Sequence, residues 1–173
     1  MLSFLLTLLL ATPPPVVDGG IVQLKGRRLL AEVARTPKER ERTLAFRQLF
    51  KAERCMFVIP EQEGAHPVRT AKFLLPFDVL WVDADGTVVE SLERVPPCPS
   101  GRDCPEHGGL QSSRYLVFLA AGTLRRLRVK VGDRLGWDIH FSDGSELRNG
   151  SHLHASPSRS KQGRRRAPQK ARP

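Results

Sequence analysis

The sequence predicts a mainly β fold: a compact antiparallel β-sandwich or barrel with one short amphipathic helix and one further helical turn. Three observations predict it. Short apolar runs recur between turn signals made of Asp, Gly and Pro. One segment near the C-terminal end of the apolar part alternates apolar and polar residues one by one. Only the stretch after Thr36 combines a full helix-start signal with helical spacing of apolar residues.

In chain order, Leu29-Leu30-Ala31-Glu32-Val33-Ala34 reads as a strand. Thr36-Pro37-Lys38-Glu39 then starts a helix, because Thr36 can cap, Pro37 suits the first helical position and Glu39 completes a capping box. Leu44, Phe46, Leu49 and Phe50 follow on one side of the expected helix. Cys55 to Ile59 is a short buried-type strand closed by Pro60. Phe73 to Val82 reads as a long apolar strand interrupted by Pro76, which marks an edge or a bulge because proline donates no ladder hydrogen bond. Asp83-Ala84-Asp85-Gly86 makes a hairpin turn to a partner strand, Thr87 to Leu92. Tyr115 to Leu119 is another buried strand, and Gly122 to Leu127 gives one or two helical turns. Trp137, Ile139 and Phe141 alternate with Asp138 and His140 before an Asp143-Gly144 turn.

The formal net charge of +10, from 28 Lys+Arg and 18 Asp+Glu in 173 residues, first suggests a nucleic-acid binder. The charge is not evenly spread. Arg159, Lys161, Arg164, Arg165, Arg166, Lys170 and Arg172 lie in a stretch without acids, and the rest of the chain holds 21 basic against 18 acidic residues. Three regions follow: a leader over 1–19, a β-domain over 20–150, and a basic tail over 151–173 that is too poor in apolar residues to order itself. The tail is expected to be a solvated segment without a specific partner, the alternative being docking on anionic lipid, envelope polymer or nucleic acid by charge alone. Specific nucleic-acid binding is not expected, since no aromatic residue interleaves with the charges.

The apolar opening MLSFLLTLLL is far shorter than the roughly 20 residues of a membrane span. It has the length of a signal-peptide core, although no Lys or Arg precedes it and no clean Ala-x-Ala follows. A wrongly placed start or a buried N-terminal strand is the alternative. Export is favoured, so the expected location is periplasmic or extracellular, with cytoplasmic as the alternative.

Candidate chemistry is sparse. Cys98 and Cys104 sit in a loop dense in Pro and Gly, and export makes a disulfide their natural fate. A zinc site adding His107 is the alternative, but Cys-x5-Cys-x2-His matches no standard metal knuckle. Cys55 reads as a buried free thiol, with a Cys55–His66 pair as the sharper reading. Asp83-x-Asp85-Gly86 is better explained by its hairpin than by calcium. Asp78, inside an apolar strand, needs a partner, for which Arg47, Arg69, Lys72 and Arg114 are candidates. His152-x-His154 is a poor metal signal. There is no nucleophile elbow, phosphate-binding glycine loop, dinucleotide fingerprint or His-Glu-x-x-His, and no cofactor or metal is expected.

Taken together, Glu32–Arg47, CMFVIP at 55–60, LLPFDVLWVDADGTVVE at 74–90, VPPCP at 95–99, RYLVFLAAG at 114–122 and VKVGDRL at 129–135 keep one order. That ordered set resembles the prokaryotic domain-of-unknown-function family 192 over about 105 residues. The resemblance implies a compact, mainly antiparallel β-sandwich or barrel with a short helix, often on exported proteins. It also exposes departures. Where similar members read Gly-Leu-Met, Thr43-Leu44-Ala45 stands here; where they read Phe-Trp-Met-Lys-Asn-Thr, Val68 to Phe73 stands; and Phe118 and Ala120 replace a Glu and an Asn. Of the polar set only Arg47, Asp78 and Arg114 carry over as ligand-binding candidates. The expectation is therefore a non-catalytic exported binding module at the cell envelope; one rival is an enzyme or small-ligand binder with a cleft near those three residues, and another is tail-mediated binding of an anionic polymer or nucleic acid.

Overall fold

The computed structural model describes residues 18–149. The leader up to residue 17, His152, His154 and the basic tail lie outside the described residues. The elements run β1 (Gly19–Leu24), β2 (Arg27–Ala34), α1 (Pro37–Leu44), β3 (Arg54–Val58), β4 (Gly64–Ala65), β5 (Val68–Arg69), β6 (Phe77–Val82), β7 (Val88–Val95), β8 (Glu106–His107), β9 (Ser112–Ser113), β10 (Tyr115–Ala120), α2 (Thr123–Leu127), β11 (Leu135–His140) and β12 (Glu146–Asn149).

Eight strands form one sheet in the order β12-β11-β1-β2-β3-β10-β6-β7, curled into a half-barrel. Every neighbouring pair is antiparallel except β2 and β3, which run parallel with α1 between them. Hydrogen bonds from Gly132 N to Val88 O (2.8 Å) and from Leu135 N to Gly86 O (2.7 Å) draw the start of β11 against the start of β7 and curl the sheet. Two two-residue ribbons, β4 with β9 and β5 with β8, lie outside it.

Strand alternation sorts the core into two clusters, one on each face of the sheet. The inner cluster includes Val22, Ala31, Phe57, Leu80, Val117 and Trp137, and Leu124 of α2 joins it. Phe57, Tyr115 and Trp137 pack ring against ring there, with centroids 4.8 to 5.3 Å apart. The outer cluster includes Leu44, Met56, Val58, Phe77, Trp81 and Phe118.

The helix start has the expected form. Thr36 Oγ1 accepts from Glu39 N (3.2 Å), while Glu39 Oε2 accepts from Thr36 N (3.0 Å) and Arg35 N (2.7 Å). Those backbone donors hold the Glu39 carboxyl below the usual range. The helix's extent differs from expectation. It ends at Leu44, Phe46 takes a left-handed backbone (φ 58°), and Phe46 N donates to Lys72 O instead of continuing the helix. The expected single apolar face is thereby split: Leu44 and Phe50 are buried, but Phe46 is 63% and Leu49 67% exposed. The long strand expected from Phe73 starts instead at Phe77, after Pro76, and a register shift between Phe77 and Val79 supplies the bulge. Asp83 Oδ1 accepts from Asp85 N (3.0 Å) and Thr87 N (2.7 Å), so a turn explains that aspartate.

Candidate functional site

On the outer face, Val58 of β3 and Leu116 and Phe118 of β10 form an apolar floor. Leu44 of α1 closes one side, and the irregular chain from Ala65 to Phe73 closes the other. Between them lies a cleft of about 410 Å³. Its polar lining comprises Arg40, His66, Arg69 and Glu106. Arg69 is committed to Glu106 (Nε–Oε1 2.9 Å, Nη2–Oε1 2.8 Å), and His66 Nε2 lies 3.0 Å from Gln62 O. The Arg40 side chain makes no ion pair among the described residues.

The irregular wall is pinned from behind. Trp81 Nε1 donates to His66 O (2.8 Å), and the β5–β8 ribbon pairs Val68 with His107. Glu90 accepts the amides of Gly109, Leu110 and Gln111 at 2.9 to 3.2 Å and so shapes the adjoining loop. Gly108 and Gly109 are required in that loop. Both have positive φ, and a Cβ would collide with the Trp81 ring at the first and with the His66 backbone at the second. Cys98 and Cys104 form a disulfide. Cys98 exchanges backbone bonds with the wall (Lys72 N to Cys98 O 2.8 Å, Cys98 N to Thr70 O 3.2 Å), and Cys104 lies just before β8. The bridge therefore ties together the two segments that hold the wall.

The three residues singled out in sequence are not gathered in this cleft. Arg47 forks onto Glu32 (Nη1–Oε1 3.1 Å, Nη2–Oε2 2.6 Å) and lies over the Phe50 ring. Glu32 also receives Arg54. Burial pushes the Glu32 carboxyl up, but hydrogen bonds and charge from Arg47 and then Arg54 hold it below its ordinary value. Arg114 donates to Pro60 O (2.6 Å) and lies over Tyr115, whose phenol is raised by burial despite that guanidinium.

Asp78 is fully buried, and its expected arginine or lysine partner is replaced by backbone amides. Oδ1 accepts from Arg94 N (2.8 Å) and Gly122 N (3.0 Å), and Oδ2 accepts from Leu124 N (2.8 Å). The carboxylate thus caps α2 from a neighbouring strand, a role Gly122 at the cap position has no side chain to perform. It lies toward the inner cluster, to which Leu124 belongs, whereas Arg47 and Phe50 lie with the outer one.

Cys55 is a free, buried thiol in the inner cluster, pushed up by burial and then by the Glu32 charge. It does not face the His66 wall, so the pair weighed from sequence is not assembled. The disulfide removes the thiolates that a zinc site with His107 would need. Sequence reasoning missed Arg40, Leu44, Val58 and Leu116 as site residues. It did contain one signal: Val68, Arg69, Ala71, Phe73 and Phe118, positions that depart from the pattern of similar proteins, all line this cleft.

Comparison with known proteins supplies a family and a fold. The family model DUF192, described as an uncharacterized ACR, matches residues 20–137. A solved structure of a candidate transcription regulator from Sinorhizobium meliloti 1021 is similar at TM-score 0.58 and 26% identity, over 70% of this chain and 92% of that one. A protein of unknown function from Novosphingobium aromaticivorans DSM 12444 is similar at TM-score 0.60 and 21% identity, over 69% of this chain and 84% of that one. No curated protein matches the chain.

Proposed function

This chain belongs to the domain-of-unknown-function family 192, and from that premise we propose that it is an exported, non-catalytic binding module of the cell envelope. Its outer cleft holds an apolar acyl chain that ends in an anionic group. The observation that carries this reading is the lining: its large apolar side chains are Leu44, Val58, Val68, Phe73, Leu116 and Phe118, and Arg40 stands beside them with His66 and the Arg69–Glu106 pair. A volume of about 410 Å³ lies in the range of small-ligand pockets, roughly 300–1,000 Å³. Apolar walls take the chain, and a guanidinium with no ion pair among the described residues complements the anionic end. The polar groups nearby are otherwise engaged, Arg69 by Glu106 and His66 by Gln62, which supports binding over catalysis. The disulfide supports an oxidising compartment.

Titration of the full chain with laurate, followed by calorimetry, tests the cleft. Saturable binding is expected, abolished by Phe118→Glu and weakened about tenfold by Arg40→Gln through loss of a charge-assisted contact. Binding unchanged in both variants would remove the cleft from the account. Cell fractionation with thiol trapping tests export: the chain is expected outside the cytoplasm with Cys98 and Cys104 oxidised.

A further inference from the structure

A second opening, of about 250 Å³, lies where α2 meets the start of β2. Its apolar lining is Leu29, Ala52 and Leu127, and Arg27, Arg28, Thr123 and Arg126 complete it with Glu53 as the sole carboxylate. Unlike several other arginines of the described domain, these three have no acidic partner among the described residues. Arg47 and Arg54 share Glu32, Arg69 holds Glu106, Arg148 holds Asp138 and Glu146, and Arg35 holds Asp18 and Asp143. Arg27, Arg28 and Arg126 make no ion pair among the described residues, and Arg126 reaches only Thr123 Oγ1 (3.1 Å). Three like charges lining one concavity repel each other unless an anion sits among them.

We propose that this opening is a binding site for a phosphoryl anion. Guanidinium groups present paired donors that match two phosphoryl oxygens, so a cluster of arginines recognises phosphate better than a cluster of lysines would. The volume is below that of a pocket for a whole small molecule, so the site takes a phosphoryl head and leaves the remainder of the ligand outside. Leu29 and Leu127 form an apolar shoulder for the carbon next to the head. The site is distinct from the outer cleft, with which it shares no lining residue. It is also distinct from the tail, because it is built on a strand, a helix and the turn before β3.

The test uses the full chain and inorganic pyrophosphate, with R27Q/R28Q/R126Q compared against R164Q/R165Q/R166Q in the tail. The first variant is expected to lose at least about tenfold in affinity, and the second to bind as the unmodified chain does. Retained affinity in the first, or loss confined to the second, would overturn the proposal, as would no saturable binding at all. Because arginine removal can disturb the fold, E53Q gives an independent sign: removing the one carboxylate should tighten pyrophosphate binding, and unchanged or weaker binding would count against the site. Co-sedimentation with phosphatidylglycerol vesicles separates the sources. Retention that depends on Arg27, Arg28 and Arg126 identifies a lipid head group, whereas pyrophosphate binding without such retention identifies a soluble phosphoester.

Discussion

The two faces of the curled sheet are built from the same strands and do different work. On the inner face the sheet curls around its core, α2 covers the end, and Phe57, Tyr115 and Trp137 fill the middle ring against ring. On the outer face the cover is one eight-residue helix, two-residue ribbons and loops, and it leaves the cleft open. Side chains covered by regular structure pack to near-crystalline density. Those covered by irregular chain cannot all be filled from one side, and the gap is where a ligand fits. Substitutions should therefore separate into those that lower stability and those that lower binding.

The largest expected effect is on the inner face. Trp137→Ala should cost about 3–5 kcal/mol, as for other large buried aromatics, measured by urea unfolding. Phe118→Ala should cost distinctly less, because part of its surface already faces the cleft; equal costs would break the contrast. Next comes Asp78→Asn. An amide cannot accept at both positions, so one of the three backbone donors is left buried and unpaired at about 1–3 kcal/mol. Laurate binding by the folded variant should be unchanged, whereas a carboxylate working in a ligand site would lose binding before stability.

Reduction of Cys98–Cys104 should remove about 2 kcal/mol by the loop-entropy estimate. It should also weaken laurate binding, since the bridge ties the segments behind the cleft wall. Thiol labelling of the unreduced, unfolded chain should find one free cysteine, Cys55; three would refute the bridge. The smallest effect is that of pH. Glu32 and Glu39 have lowered carboxyl values in the folded chain, so the unfolded state binds protons first as pH falls. Their stabilisation is complete above the ordinary carboxylate range and is lost as pH drops through the lowered folded values. Arg47→Gln should flatten that acid limb, read as the unfolding midpoint between about pH 6 and 3; an unaltered slope would show that the Glu32 pair contributes nothing.

The inner face was largely legible in the sequence. Trp137 and Ile139 announce β11 through alternation, because that signal is local. On the outer face the Thr36–Glu39 box announces a helix start for the same reason, but the rest of the cover was not legible. Two-residue strands such as β4 and β5 show no periodicity, and the early end of α1 depends on an acceptor at Lys72, far along the chain. Asp78 was recognised as needing a partner, yet its partners are backbone amides, which every residue but proline carries, so composition could not single them out. The cleft residues come from α1, β3, β4, β5, β8 and β10 and the chain between them, and meet only through the fold.

The most direct test of the division between the faces is amide NMR of the full chain titrated with laurate. Shifts are expected to saturate at Leu44, Val68, Phe73 and Phe118 while those of Phe57, Val117 and Trp137 stay in place. Saturable shifts centred on the inner residues, or none at the outer ones, would contradict the account.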